Sequence, residues 1–116
     1  MIVRAVQLLQ ERARKHPVEA VAQTSDYTAS DEDLLIAVNA TSAAVTVDLP
    51  TAAARKGRRY IVKKTDASAN LVTIDPAGSE TIDGEATVSL AQQYAAREIV
   101  SDGTNWHIVS AYGYSA

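Results

Sequence analysis

Few residues of the chain have the types and spacing that catalysis requires. Hydrolysis by a serine–histidine–aspartate triad needs a histidine as general base, and the sequence contains only His16 and His107. His16 precedes a proline at the end of a predicted helix. His107 follows Trp106 in a predicted strand, and the nearby Ser101 and Asp102 adjoin or begin a turn. The pattern indicates no triad, and we predict that the chain is not an enzyme.

Carboxylates fall into two groups, at residues 31–33 and 75–85. A calcium loop needs several oxygen ligands in a short segment, and a glycosidase needs two carboxyl groups across a cleft. The first group is typical of a cap or turn, and Asp83-Gly84 in the second is typical of a turn. The chain has no cysteine, which removes thiol catalysis and thiolate zinc sites. Its five glycines form no phosphate loop. We predict no metal and no cofactor.

The net charge of -3 is unevenly distributed along the 116 residues. Residues 1–16 are basic, with four cations against Glu11, while the remainder is acidic. A nucleic-acid binder needs a basic face on its folded body, and the longest apolar run, 34–38, is too short to span a bilayer. We therefore predict no nucleic-acid and no membrane partner. Six cations lie between residues 55 and 64. We interpret them as a solvated strand edge, with a patch for an acidic partner as the alternative.

An amphipathic helix is predicted over residues 2–15. Its apolar stripe consists of Ile2, Val6, Leu9 and Ala13, at intervals of four, three and four. Pro17 ends the helix. An isolated helix of this length is marginal in water, so the stripe is expected to pack on something. We assign residues 1–26 to an N-terminal helix and arm that serves attachment or oligomerisation, and residues 27–116 to a β-rich module.

Short alternating or apolar segments separated by turn residues predict seven strands after Pro17. They lie near residues 34–39, 43–49, 58–65, 70–75, 86–90, 97–101 and 106–111. Asp102-Gly103-Thr104-Asn105 predicts a hairpin between the last two. The predicted fold class is mainly β, a small antiparallel β-sandwich or barrel-like domain. The expected core anchors are Tyr60, Val62, Ile74, Ile82, Ile99, Trp106 and Ile108.

Segments 42–48 and 68–75 echo each other, because both run from a serine through Val-Thr-Val or Val-Thr-Ile to an aspartate. Alternating valine and threonine is what a half-buried strand prefers in general. We therefore interpret the echo as strand preference, with a duplicated hairpin as the alternative. No repeat architecture is predicted from it.

The stretch from residue 40 to 110 carries a more specific order of motifs. Tyr60 to Lys64 is followed by Asp66-x-Ser68-x-Asn70. The most specific blocks are Glu80-Thr81-Ile82-Asp83-Gly84 and Ser101-Asp102-Gly103-Thr104-Asn105-Trp106. This order resembles a β module of virion structural proteins of tailed bacteriophages, among them head decoration proteins, head fibres and tail fibre or baseplate components. The resemblance implies a β-rich fold and often a homotrimer. It implies no active site, since the shared residues are turn formers and core positions.

On that resemblance we expect a capsid decoration (cement) protein that binds the outer surface of the head as a homotrimer and stabilises the shell. The expected partners are the major capsid protein and further copies of the chain. The expected location is the head surface of the virion, after synthesis in the host cytoplasm. The arm is expected to make the capsid or subunit contact through Val6, Leu9, Arg12 and Arg14.

Two alternatives remain open. The first is a head or tail fibre or baseplate component, which a helix this short disfavours as a coiled-coil shaft. The second is a carbohydrate-binding module, with Trp106 and either Tyr94 or Tyr60 as stacking platforms. A large aromatic residue at the base of a hairpin is more often part of the core, which argues against Trp106 in that role.

Overall fold

In the computed structural model the described residues are 19–113, with side chains described from residue 21. This range contains nine strands and one 3-10 turn. They are β1 (Glu19–Gln23), β2 (Tyr27–Thr28), β3 (Asp33–Val38), β4 (Val45–Asp48), the 3-10 turn (Ala52–Ala54), β5 (Arg59–Lys64), β6 (Val72–Asp75), β7 (Val88–Leu90), β8 (Ala96–Ser101) and β9 (Trp106–Tyr112). The predicted helix at 2–15 lies outside the described residues, as do Val6, Leu9, Arg12 and Arg14.

The strands form two sheets. The larger sheet has the order β1-β3-β5-β8-β9, and the smaller sheet has the order β2-β4-β6-β7. From β1 to β6 consecutive strands alternate between the two sheets, so the chain winds in coils and successive strands of each sheet pair in parallel. The later pairs, β5–β8, β6–β7 and β8–β9, are antiparallel. The fold is mainly β, as predicted, but its sheets are mixed.

The prediction that the sheets are antiparallel was wrong. Links as short as those of a hairpin were expected to join strands that are antiparallel neighbours in one sheet. Parallel strands need a crossover connection, usually a helix. Here a strand of the opposite sheet serves as the crossover, so the links themselves stay short. Six residues, 39–44, separate β3 from β4, and seven residues, 65–71, separate β5 from β6.

All seven strands predicted from the sequence are confirmed, as β3 to β9. The predicted turn at 102–105 joins β8 and β9. Two strands were not predicted, β1 and the two-residue β2. β1 lies within residues 1–26, the segment assigned to the arm, and pairs with β3 as the edge strand of the larger sheet.

Inward-facing residues of both sheets form one hydrophobic cluster. Its largest members, Tyr60 and Trp106, are fully buried, and their ring centroids are 5.6 Å apart. The other expected anchors lie here too. Ile108 is half-buried and packs against the cluster. The remaining ones, which are fully buried, are Val62, Ile74, Ile82 and Ile99.

Successive coils are stacked in register. β4 and β6 are neighbours, and their pairing runs from Val45 opposite Val72 to Asp48 opposite Asp75. These are the echoing segments, which pair in parallel, and the interpretation of the echo as strand preference stays a prediction. The repeated residues occupy equivalent places in two successive coils.

Candidate interaction surface

His107 lies on the surface between two carboxylates. Its Nε2 is 2.7 Å from Asp102 Oδ2 and its Nδ1 is 3.8 Å from Asp83 Oδ1. Asp102 accepts hydrogen bonds from the backbone N–H groups of the 102–105 turn, and these bonds together with His107 lower the pKa of Asp102 to about 2. Ser101 is buried, and its Oγ donates to the Ala52 carbonyl. Ser101, Asp102 and His107 therefore do not assemble a triad.

The carboxylates at 75–85 are dispersed by the turns that they stabilise. Glu80 accepts hydrogen bonds from Thr51 Oγ1 at 2.6 Å and from Ala52 N at 2.9 Å, at the start of the 3-10 turn. Asp83 and Gly84, with φ of 50° and 82°, form a two-residue turn. Within residues 19–113, no group of three or more histidine, aspartate or glutamate side chains is placed to hold a metal ion.

A buried ion pair lies where β5 passes into the following link. Lys64 is fully buried, and its Nζ lies 2.7 Å from Asp66 Oδ2. Asp66 also accepts hydrogen bonds from Ser68 N and Oγ and, across to the preceding coil, from Ala40 N at 2.7 Å. Burial alone would raise the pKa of Asp66, but the hydrogen bonds from Lys64, Ser68 and Ala40 outweigh it and hold the pKa well below its usual range. Asn70 Nδ2 also donates to the Ala40 carbonyl. The Asp66-x-Ser68-x-Asn70 block therefore bonds the link after β5 to the link after β3.

The cations at 55–64 do not form one patch. Arg55 pairs with Asp31 at 2.6 Å, Arg59 pairs with Glu98 at 2.6 Å, and Lys64 is inside the fold. The interpretation of this segment as a sheet edge was wrong, because β5 is the central strand of the larger sheet. Arg55, Lys56 and Arg58 line one surface depression together with Asp31, so the alternative of a patch for an acidic partner stays a prediction.

Of the aromatic residues proposed to stack on sugars, only Tyr94 is accessible. Trp106 and Tyr60 are fully buried. Tyr94 is 51% exposed and lies under Lys63 Nζ, which is 5.3 Å from its ring centroid. Tyr112 is also accessible, at 61% exposed.

The two most specific blocks of the phage resemblance contact each other. Ile82 forms a parallel bridge with Trp106. Trp106 N donates to Thr81 O at 2.9 Å, and Thr81 N donates to Asn105 Oδ1 at 2.9 Å. The side chain of Asp83 accepts a hydrogen bond from Ile108 N at 3.0 Å. Both blocks therefore serve to close the fold beside the β8–β9 hairpin.

The outer face of the smaller sheet is polar throughout. Along each strand the residues between the buried ones point away from the core. Here they are Thr28, Thr46, Asp48, Thr73, Asp75 and Ser89. Thr73 Oγ1 and Ser89 Oγ are hydrogen-bonded at 2.9 Å. This is the composition of a face that water covers.

The outer face of the larger sheet is the less polar of the two, with seven apolar residues among the twelve assigned to it. The same alternation and the strand register place there Ala22, Leu35, Ala37, Arg59, Ile61, Lys63, Ala96, Glu98, Val100, His107, Ser110 and Tyr112. Leu35 lies opposite Ile61, and the next row along the sheet consists of Ala22, Ala37, Lys63, Ala96 and Tyr112, with the lysine at its centre. Glu98 and Arg59 neutralise each other, and Ser110 Oγ donates to Glu98. We call this surface the apolar face.

No protein-family model matches the sequence, and no curated protein matches it significantly. In the described part of the chain, no helix is long and apolar enough to cross a membrane. The sequence did not predict the apolar face, because its composition depends on how five strands are aligned in the larger sheet. Three of these strands, β1, β3 and β5, belong to different coils. The alternation in β5, with Ile61 between Arg59 and Lys63, was the available signal.

Proposed function

We propose that the chain is a phage capsid decoration protein that attaches to the outer surface of the head and stabilises the shell. The observation that carries the proposal is the contrast between the two outer faces: the smaller sheet's is polar throughout, whereas the larger sheet's has seven apolar residues among twelve. A module held on a larger assembly needs one side that loses water and one that keeps it. The apolar face and the N-terminal arm, which enters the fold at the adjoining edge strand β1, form the attachment side.

The size of the apolar face argues that the arm participates. Five strands spaced about 4.8 Å apart and six residues long give a face of about 19 by 20 Å, or roughly 400 Å². A stable interface takes about 800 Å² from each partner. The arm residues Val6, Leu9, Arg12 and Arg14 supply the remaining contact in this proposal, with the major capsid protein and with neighbouring copies in a homotrimer.

The fold suits a module that works by its surfaces. Inward residues of both sheets share one cluster, which favours a sandwich in which the sheets pack face to face. The polar networks at Asp66, Glu80, Asp83 and Asp102 all hold turns in place. We propose that the protein acts without catalysis and without a cofactor, as a rigid body on the virion.

The arm is tested by deletion. A chain lacking residues 2–15 is mixed with purified shells from which the protein has been removed, and bound copies are counted after sedimentation. We expect binding to be lost while the far-ultraviolet circular dichroism of the β body is retained. Full occupancy by the shortened chain would contradict the assignment.

The apolar face is tested by a matched pair of substitutions. Ile61→Asp places a charge at the centre of the apolar face, and Thr73→Asp does the same on the smaller sheet. We expect Ile61→Asp to weaken shell binding at least ten-fold and Thr73→Asp to leave it within two-fold. Equal effects of the two substitutions would contradict attachment through the apolar face.

One observation favours a carbohydrate-binding module as the second candidate. Tyr94 and Tyr112 are exposed aromatic rings, and Tyr112 lines a shallow depression of about 170 Å³ with Ile61, Glu98 and Ser110. Aromatic rings beside polar groups are suited to a sugar ring. The apolar face around this depression is better suited to protein, so decoration remains the first proposal and a fibre or baseplate position its nearest alternative.

A further inference from the structure

Three basic side chains and one acidic side chain line a depression at the end of the fold that contains the 102–105 turn. The charged residues are Arg55, Lys56, Arg58 and Asp31. The depression has a volume of about 530 Å³, in the range of sites that hold a whole small ligand. Three cations against one carboxylate give it a net charge of +2. We call it the basic depression.

The carboxylate of Asp31 compensates only one of the three cations. Its Oδ1 lies 2.6 Å from Arg55 Nε, and its Oδ2 accepts a hydrogen bond from Arg55 Nη2 at 3.3 Å. The hydrogen bond from Arg55 holds the pKa of Asp31 below its ordinary value, so this carboxylate is ionised at neutral pH. Two other carboxylates at this end, Glu80 and Asp102, already accept hydrogen bonds from their own surroundings.

The guanidinium group of Arg58 is fixed in place but keeps its charge. Its Nη1 and Nη2 donate to the carbonyl groups of Arg59 and Asp33. Its central carbon lies 4.2 Å from the centroid of the Tyr60 ring. Carbonyl groups and an aromatic ring orient a guanidinium group without neutralising it.

The ammonium group of Lys56 is also uncompensated. Among the described side chains, neither Lys56 nor Arg58 forms an ion pair. The stem of Lys56 lies beside Gly103, where an added Cβ would be 3.5 Å from Lys56 Cβ. The 102–105 turn therefore supports this stem. The basic depression thus offers two positive charges on supported side chains.

The chemistry of the basic depression suits carboxylates better than a phosphate group. The backbone N–H groups of Arg55, Gly57 and Arg58 all donate to carbonyl groups within the fold. Phosphate sites commonly use free backbone N–H groups, at the start of a helix or in a concave loop. Here the available charge is on side chains, which pair with the carboxylates of aspartate and glutamate.

We propose that the basic depression binds an acidic segment of a partner protein, with carboxylates of that segment paired to Lys56 and Arg58. Arg55 remains paired with Asp31. Exposed ion pairs contribute little singly and are screened by salt, so this contact is weak and depends on ionic strength. It requires only that a partner present neighbouring carboxylates, and it does not rest on the virion function.

The test uses a dye-labelled peptide of six glutamates, titrated with the full chain in 0.1 M salt and followed by fluorescence anisotropy. Lys56→Glu reverses one charge of the basic depression. Lys63→Glu is the matched control, because it makes the same change five residues beyond Arg58, about 17 Å along β5 and farther than the Debye length of about 10 Å. We expect Lys56→Glu to weaken binding about ten-fold and Lys63→Glu to change it less than two-fold. Residues 1–16 are also basic, but they are common to both variants.

A second variant is expected to act in the opposite direction. Asp31→Asn removes the carboxylate of the basic depression and frees Arg55, so binding should tighten about three-fold. Asp26→Asn removes the same charge outside the depression and should change binding less than 1.5-fold. Circular dichroism checks that each variant is folded, and Lys56→Gln replaces Lys56→Glu if the latter is not.

Each of three outcomes would overturn the proposal. Equal weakening by Lys56→Glu and Lys63→Glu would mean that the peptide responds only to overall charge. Unchanged binding in both Lys56→Glu and Asp31→Asn would mean that the depression takes no acidic segment. Displacement of the peptide by an equimolar amount of inorganic phosphate would assign the depression to a single phosphate group instead. Shell binding enters none of these readouts, so a failure of the proposed function is seen separately.

Discussion

Replacing Asp66 by alanine is expected to destabilise the fold more than any exposed ion-pair substitution. The change leaves Lys64, which is fully buried, without its carboxylate, although weak contacts to Asp66 O at 3.2 Å and Ser68 Oγ at 3.4 Å remain. It also removes the acceptor of the Ala40 and Ser68 N–H groups. Breaking a buried pair in this way costs about 3–5 kcal/mol. For a chain of this length, about 4 °C of Tm is lost per kcal/mol, so Tm should fall by about 12–20 °C.

Thermal unfolding gives the Tm, and urea unfolding gives the free energy of unfolding. Both are followed by circular dichroism and by the fluorescence of Trp106, which is buried in the core. The matched control is Glu98→Ala, which breaks the surface pair with Arg59. Such pairs contribute about 0–1 kcal/mol. A loss below about 1 kcal/mol for Asp66→Ala, equal to that of the control, would refute the reasoning.

A double variant separates the pair from its surroundings. Lys64→Met with Asp66→Ala removes both charges, so the cost should be clearly smaller than the sum of the two single substitutions. Additive costs would mean that Lys64 and Asp66 act independently, in conflict with the 2.7 Å contact between them.

Three further outcomes are expected. Hydrogen bonds hold the pKa of Asp66 below its ordinary value of 3.8, so the ionised carboxylate stabilises the fold fully above the pKa that Asp66 has in the unfolded chain. This stabilisation is lost as the pH falls through the pKa of Asp66 in the folded chain. The difference in urea stability between the native chain and Asp66→Asn should therefore shrink from about pH 6 to about pH 2, and a constant difference would contradict the role of the carboxylate. Gly84→Ala, at a φ of 82° with open space around it, should cost about 1–2 kcal/mol in thermal unfolding, whereas Gly84→Asn should cost less; equal stabilities would contradict a left-handed turn. A glycan array of the native chain should give no binder above background, and a sugar ligand lost in Tyr94→Ala would instead favour the carbohydrate-binding module.

The positions of most strands could be predicted because local pattern determines them. In β4 and β6, valine or isoleucine alternates with polar residues, and the inward positions are the buried ones. β1 has no such pattern, since its sequence Glu-Ala-Val-Ala-Gln has one β-branched residue. It is a strand because β3 offers it a partner. That contact is tertiary and leaves no local signal.

The arrangement of the strands depends on register, which the sequence carries only weakly. The echo between residues 42–48 and 68–75 agrees with the register, because Val72 pairs with Val45, 27 positions before it. Strand preference alone produces the same alternation of valine and threonine. The echo therefore could not show whether the two segments belong to a duplicated hairpin or to two stacked coils. The apolar face depends on that register and could not be predicted from the sequence. The turn blocks at 80–84 and 101–106 could be predicted, because each is a short local motif.

The central claim is that the chain is a structural component of the virion head. The most direct measurement is the copy number of the chain per purified virus particle, by quantitative mass spectrometry against the major capsid protein. We predict a ratio comparable to that of the capsid subunit. A handful of copies per particle would contradict decoration and point to a fibre, vertex or tail position, and absence of the chain from particles would contradict a virion role altogether.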